Sequence, residues 1–175
     1  MASIINTPTP LPAPRKIIAA HAPTGEPVLI DETTPFPSDE PQLRAQVGYI
    51  QPELIGKPDK AIEWAGAKPT KISHDDQISL RWVDIPPRYD GALHFTNTFD
   101  YLIVTHGELE MALYDGSTKL VRVGDAIVQI ANIHAWNNKT DQWARFVGVV
   151  VPSEPVKVNG QGLEQPPLNG YHAQF

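Results

Sequence analysis

Apolar and polar residues alternate with a period of two through most of the second half of the chain. Glu108–Tyr114 and Thr118–Val123 both alternate, and Asp115-Gly116 between them supplies a tight hairpin turn. Leu102–Thr105 is a short apolar run, and further runs cover Ala126–Ile130 and Ala144–Val151. Upstream, Ile78–Asp84 reads as a strand stopped by Pro86-Pro87. Lys16–Ala20 and Pro27–Ile30, joined by a Pro-Thr-Gly turn, predict one more hairpin. The best helix is Asp59–Gly66, two turns at most. Short strands separated by Gly/Asp turns predict an all-β antiparallel sandwich or barrel with very little helix.

Proline marks where the sheets lie. The chain has 18 prolines, and none falls between Arg88 and Val151. Proline removes a ladder N–H and is kept out of central strands, so this gap marks the sheet core. The Pro-rich stretch 7–14 reads as a mobile, polyproline-like arm. The expected organisation is an arm over 1–14, one domain over 15–151 with its barrel core at about 78–151, and a tail over 152–175.

Composition narrows the chemistry. At 175 residues the chain is one domain's worth. It has no Cys, which excludes disulfides, thiolate metal sites and thiol nucleophiles. A net charge of -6 argues against a nucleic-acid partner. No apolar run approaches the roughly 18 residues a membrane span needs. The opening residues lack a basic region followed by an apolar one, so a cytoplasmic protein is expected.

Two clusters carry titratable groups. In His94-Phe-Thr96-Asn-Thr98-Phe-Asp100-Tyr101, positions 94, 96, 98 and 100 would share one strand face. A face of His, Thr, Thr and Asp is polar where a core strand should be apolar. The second cluster runs from Gln129 through His134-Ala-Trp136 to Asn138. In a small closed sheet, His134 reaches the face carrying His94 and Asp100. A solvated outer face is the plain alternative for the first cluster, and core packing is the alternative for Trp136. Arg81 and Trp82 point to opposite faces of their strand, and parity does not say which faces inward.

The two clusters resemble the paired motifs of the cupin superfamily. His94, Thr96, Asp100 and Gly107 fall at the first motif's His, His, Glu and Gly positions. Gly124-Asp125, Ile130–Asn132, His134 and Asn138 match the second, with one residue fewer before the His. The chain looks closer still to a small single-cupin group of bacteria and fungal secondary-metabolite pathways. That group shows His-x-Thr-x-Thr-x-Asp-Tyr and Gln-x-x-x-x-His-Ala-Trp. The resemblance implies a single jelly-roll barrel with an N-terminal hairpin wrapped on it.

The resemblance also implies where to look for function. His94, Asp100 and His134 become the catalytic set, with Thr96, Thr98, Tyr101, Gln129, Trp136 and Arg81 as substrate-binding residues. Cupin metal sites usually hold three His and one Glu. Here Thr96 replaces a His and Asp100 the Glu, leaving His94, Asp100 and His134 to hold one Fe, Mn or Zn ion, or none. Without a metal, a His oriented by Asp100 would be the general base. The leading expectation is a small-molecule tailoring lyase or isomerase acting on a polyketide-like or organic acid. The alternatives are a metal-dependent dioxygenase and a non-catalytic small-molecule-binding cupin. The N-terminal hairpin could pair with a neighbouring subunit, so a homodimer is expected.

Overall fold

A computed structural model describes residues 9–34, 44–67 and 76–162. Its strands, in chain order, are β1 (Arg15–His21), β2 (Pro27–Thr33), β3 (Arg44–Gln51), β4 (Ile78–Ile85), β5 (Thr98–His106) and β6 (Glu108–Leu113). These are followed by β7 (Thr118–Arg122), β8 (Ala126–Ile130), β9 (His134–Asn137), β10 (Ala144–Pro152), β11 (Lys157–Val158) and β12 (Gln161–Gly162). One short helix, α1 (Ala61–Ala65), follows a 3₁₀ turn at Pro58–Lys60. The arm before residue 9 and the expected tail beyond residue 162 lie outside the described residues.

The strands form a five-stranded sheet in the order β3-β4-β10-β5-β8 and a three-stranded sheet in the order β7-β6-β9. All their pairings are antiparallel. The two sheets face each other as a jelly-roll sandwich. Val83, Ile85, Leu102, Val104, Ala144 and Phe146 from the larger sheet pack on Leu109, Val121 and Trp136 from the smaller. Each such Val, Leu or Phe side chain contributes about 1.5–3 kcal/mol when withdrawn from water. Among the described residues, strand pairing does not close the sheets into the expected barrel.

The period-two reading holds where strands are regular. On β5, Thr98, Asp100, Leu102 and Val104 are buried and the intervening residues face outward. The strand begins only at Thr98, however, so His94 and Thr96 precede it rather than continue it. Gly107 joins β5 to β6 at φ 69, a left-handed turn that a side chain would strain. A Cβ there would also lie 2.8 Å from the Trp143 carbonyl oxygen.

The described part of the Pro-rich arm does not hang free. The Thr9 hydroxyl donates to Asp84, and Arg145 donates to the Pro12 carbonyl. Asp84 itself is wholly buried on the outer face of β4, where the Arg145 guanidinium grips both carboxylate oxygens. The N-terminal hairpin of β1 and β2 forms as expected. Lys16 anchors it, with its ammonium on the Ala65 carbonyl at the end of α1 and on Glu32.

Candidate functional site

β4 settles which of two neighbours faces inward. Ser79, Arg81, Val83 and Ile85 turn toward the opposite sheet, and Trp82 lies on the outer face against Gly48. On the next strands the same inner face carries Val150, Gly148 and Phe146 from β10, then Asp100 and Leu102 from β5, then Gln129 from β8. One row across four strands therefore reads Ser79, Val150, Asp100, Gln129. The neighbouring row places Arg81 beside Gly148 and Leu102.

This face forms one wall of a pocket. Arg81, His94, Thr96, Asp100, Gln129, His134 and Trp136 all line it. The pocket has two chemically distinct regions. Val83, Ile85, Tyr89, Leu102, Phe146 and Trp136 make an apolar part, with the Trp136 and Phe146 rings 5.4 Å apart. Arg81, Asp100 and Gln129 supply the polar part, alongside the two histidines.

His94 and His134 meet at an isolated antiparallel bridge. Each main-chain N–H donates to the other's carbonyl at 2.9 Å, and the ring centroids stand 4.4 Å apart. The Nδ1 of His94 lies 2.9 Å from the Ala92 carbonyl, and that of His134 lies 2.9 Å from the Asn132 carbonyl. A carbonyl oxygen only accepts, so both Nδ1 atoms carry hydrogen and both Nε2 atoms carry the lone pair when the rings are neutral. Main chain, rather than Asp100, orients the rings through Nδ1. Burial and the neighbouring His94 push the His134 pKa down to about 4.

The turn that delivers His134 is unusual. Ala131, buried, takes φ 37, a left-handed conformation that costs a residue with a Cβ roughly 1–2 kcal/mol. Its N–H donates to the Thr98 carbonyl, tying the turn to the start of β5. After β9, the wholly buried Asn138 donates to the carbonyls of Ile85 and Gln142 and accepts from both the N–H and hydroxyl of Thr140. Asn138 thereby locks the chain beyond the site.

Asp100 Oδ2 accepts from Gln129 Nε2 at 3.0 Å. The Thr96 and Thr98 hydroxyl oxygens lie 2.6 Å apart, and one donates to the other. Burial pushes the Asp100 carboxyl above the usual carboxylate range, against the pull of Thr98, Arg81 and His94. Arg81 is nearly buried, and desolvation pushes its pKa down to about 10 while Asp100 opposes the shift.

Two of the expected binding residues sit elsewhere. Tyr101 points outward from β5, half-exposed, because it has the opposite parity to Asp100. Thr98 is buried outside the pocket lining, its hydroxyl against that of Thr96. Apart from Trp136, the sequence did not point to the apolar wall. Val83 and Ile85 share the parity of Arg81, and Leu102 that of Asp100, so the signal was present once Arg81 is set inward. Tyr89, Gly91 and Ala92 come from an irregular loop with no periodic signal.

His94, Asp100 and His134, the residues expected to hold a metal, line one pocket. No group of three or more His, Cys, Asp or Glu side chains converges among the described residues. The histidine tautomers are those a metal would use, and Asp100 keeps Oδ1 without a partner while its Oδ2 accepts from Gln129.

Comparison with known proteins places this geometry. No family model matches the chain. It is 31% identical over 118 residues to oryzines biosynthesis cluster protein J of Aspergillus oryzae, covering 56% of this chain and 66% of the relative. It is 32% identical over 115 residues to the cupin-domain-containing oxidoreductase fogC of Aspergillus ruber, covering 64% and 56%. Phomopsin biosynthesis cluster protein C' of Diaporthe leptostromiformis matches at 32% over 96 residues, covering 54% and 51%. The chain spans about half to two thirds of the length of these curated relatives. Among solved structures, a cupin 2 conserved barrel domain protein from Salinispora arenicola is 20% identical, with 62% of this chain and 75% of that one covered and a TM-score of 0.43. The chain is thus similar to cupin-domain proteins. Its relatives also include proteins named for fungal biosynthetic clusters. Among the described residues, no helix is long and apolar enough to cross a membrane.

Proposed function

We propose that this cupin is a small-molecule tailoring enzyme that moves a proton within its substrate, in the manner of a lyase or isomerase. The observation that carries the reading is the His94–His134 pair, with both tautomers set by main-chain carbonyls beside an amphipathic pocket. An Nε2 lone pair takes a proton from an acidic C–H, and the C–H electron pair stays on the substrate carbon. Return of the proton at another atom completes an isomerisation, and departure of a leaving group completes an elimination. Two rings this close resist holding two charges, so the pair takes up one proton per cycle. His134 stays unprotonated near neutral pH, and negative charge developing on the substrate strengthens it as a base.

A metal-dependent dioxygenase stands second, favoured by the tautomers and by relatives named as oxidoreductases. The test between them is hydrogen–deuterium exchange at substrate carbon, followed by NMR in D₂O with a panel of small hydroxy- and keto-acids. Exchange by the chelator-treated protein, lost in His134→Ala, supports proton transfer. Equal exchange in wild type and in His94→Ala and His134→Ala overturns it.

A further inference from the structure

Three buried polar side chains of the larger sheet face the pocket, each with an atom that has no partner. Arg81 is 6% exposed, Asp100 8% and Gln129 4%, and all three line the pocket. Arg81 donates through one terminal nitrogen to the Ser79 hydroxyl, yet its Nε–H is unsatisfied. Asp100 Oδ1 and Gln129 Oε1 are likewise buried without a partner, although each residue's other polar atom is paired with its neighbour. Leaving such groups unsatisfied is costly, and three on adjacent rows of one sheet mark a place built for a polar ligand. No ion pair joins Arg81 to Asp100 among those of the described residues, so the guanidinium keeps its donor for something else.

From this geometry we infer that the pocket takes a hydroxy-carboxylate with an apolar, preferably aromatic, body. Its carboxylate accepts from Arg81 Nε, and its hydroxyl donates to Gln129 Oε1 or Asp100 Oδ1. The body lies along Val83, Ile85, Phe146 and Trp136. A lone hydrophobe would leave the three polar atoms unsatisfied, and a dianion would crowd the Asp100 carboxyl. The charged or titratable groups lining this pocket are Arg81, Asp100, His94, His134 and Tyr89, so Arg81 is its one permanent cation. Three attachment directions on a chiral wall also discriminate between mirror-image ligands.

The inference rests on reading this pocket as the substrate site, and its test needs no turnover. Calorimetry on the full chain would compare mandelate, mandelamide, phenylacetate and benzyl alcohol. Mandelate should bind at least about tenfold tighter than mandelamide, the scale of one charge-assisted hydrogen bond. It should also bind several-fold tighter than phenylacetate, and one enantiomer should win. Arg81→Met should erase the mandelate-over-mandelamide gap, and Gln129→Met should narrow the gap over phenylacetate. If Arg81→Met fails to fold, the wild-type ratios alone decide. Equal affinity for mandelate and mandelamide, or no binding by any probe, overturns the inference. Selective binding without deuterium exchange leaves it standing and counts against the proton-transfer reading alone.

Discussion

His94 and His134 exchange both main-chain hydrogen bonds and hold their rings 4.4 Å apart, although forty residues of sequence separate them. The bridge joins the loop ahead of β5 to the first residue of β9, so the loop and the smaller sheet position each other. Replacing either ring should leave this main-chain bridge in place. Turnover by His94→Ala or His134→Ala should therefore fall by about 10²–10⁴, the usual range for losing an acid–base group, while the circular dichroism spectrum is unchanged. Loss of the folded spectrum would assign the rings a structural role instead.

The buried His134 makes stability depend on pH. Its pKa is about 4 when folded against 6.5 for an ordinary His, so between these values the unfolded chain binds more protons. Stability is complete above about pH 6.5 and falls as pH drops toward 4, by up to roughly 3 kcal/mol for this group. Asp100 works in the opposite sense, because its folded pKa is raised and it favours the folded state at acid pH. The two are separated by comparing variants. Tm measured from pH 7 to pH 4 should decline less in His134→Gln than in wild type. Parallel curves would show that His134 is not desolvated.

How much of this was legible in the chain follows from where it is periodic. Strands β4 to β8 and β10 were readable because one face is buried and side chains alternate, and Asp100 and Gln129 share a face for that reason. The same rule put His94 and Thr96 on that strand, whereas they precede β5 in irregular chain, yet they line the same pocket as Asp100. β3 was missed, since Arg44–Gln51 is flanked by proline on both sides and only modestly apolar. The inward turn of Arg81 depends on which face meets the second sheet, a tertiary fact that no local pattern holds.

The site's floor depends on a close approach at Gly91. A Cβ there would lie 2.4 Å from the Trp136 carbonyl oxygen and 3.0 Å from its nitrogen, both main-chain atoms that cannot rotate away. At Gly148 the obstacle is instead the end of the Leu102 side chain, 2.5 Å off, which can move. Gly91→Ala should then lower stability by several kcal/mol or prevent folding. Gly148→Ala should cost about 1–3 kcal/mol and push Leu102 within the pocket it lines. Urea unfolding of both variants checks the ranking, and a larger loss at Gly148 would contradict it.

On the opposite face of β4, Asp84 is a carboxylate taken wholly out of water. It is wholly buried, gripped through both oxygens by Arg145 and approached by the Thr9 hydroxyl. Removing Arg145 strands a buried carboxylate and also releases the arm it holds through Pro12. Arg145→Met should therefore destabilise by about 3–5 kcal/mol. Replacing both partners, as in Asp84→Leu/Arg145→Met, removes the stranded charge and should recover most of that loss. Chemical denaturation of the two single variants and the double completes the cycle. Additive losses would mean that the pair contributes no coupling.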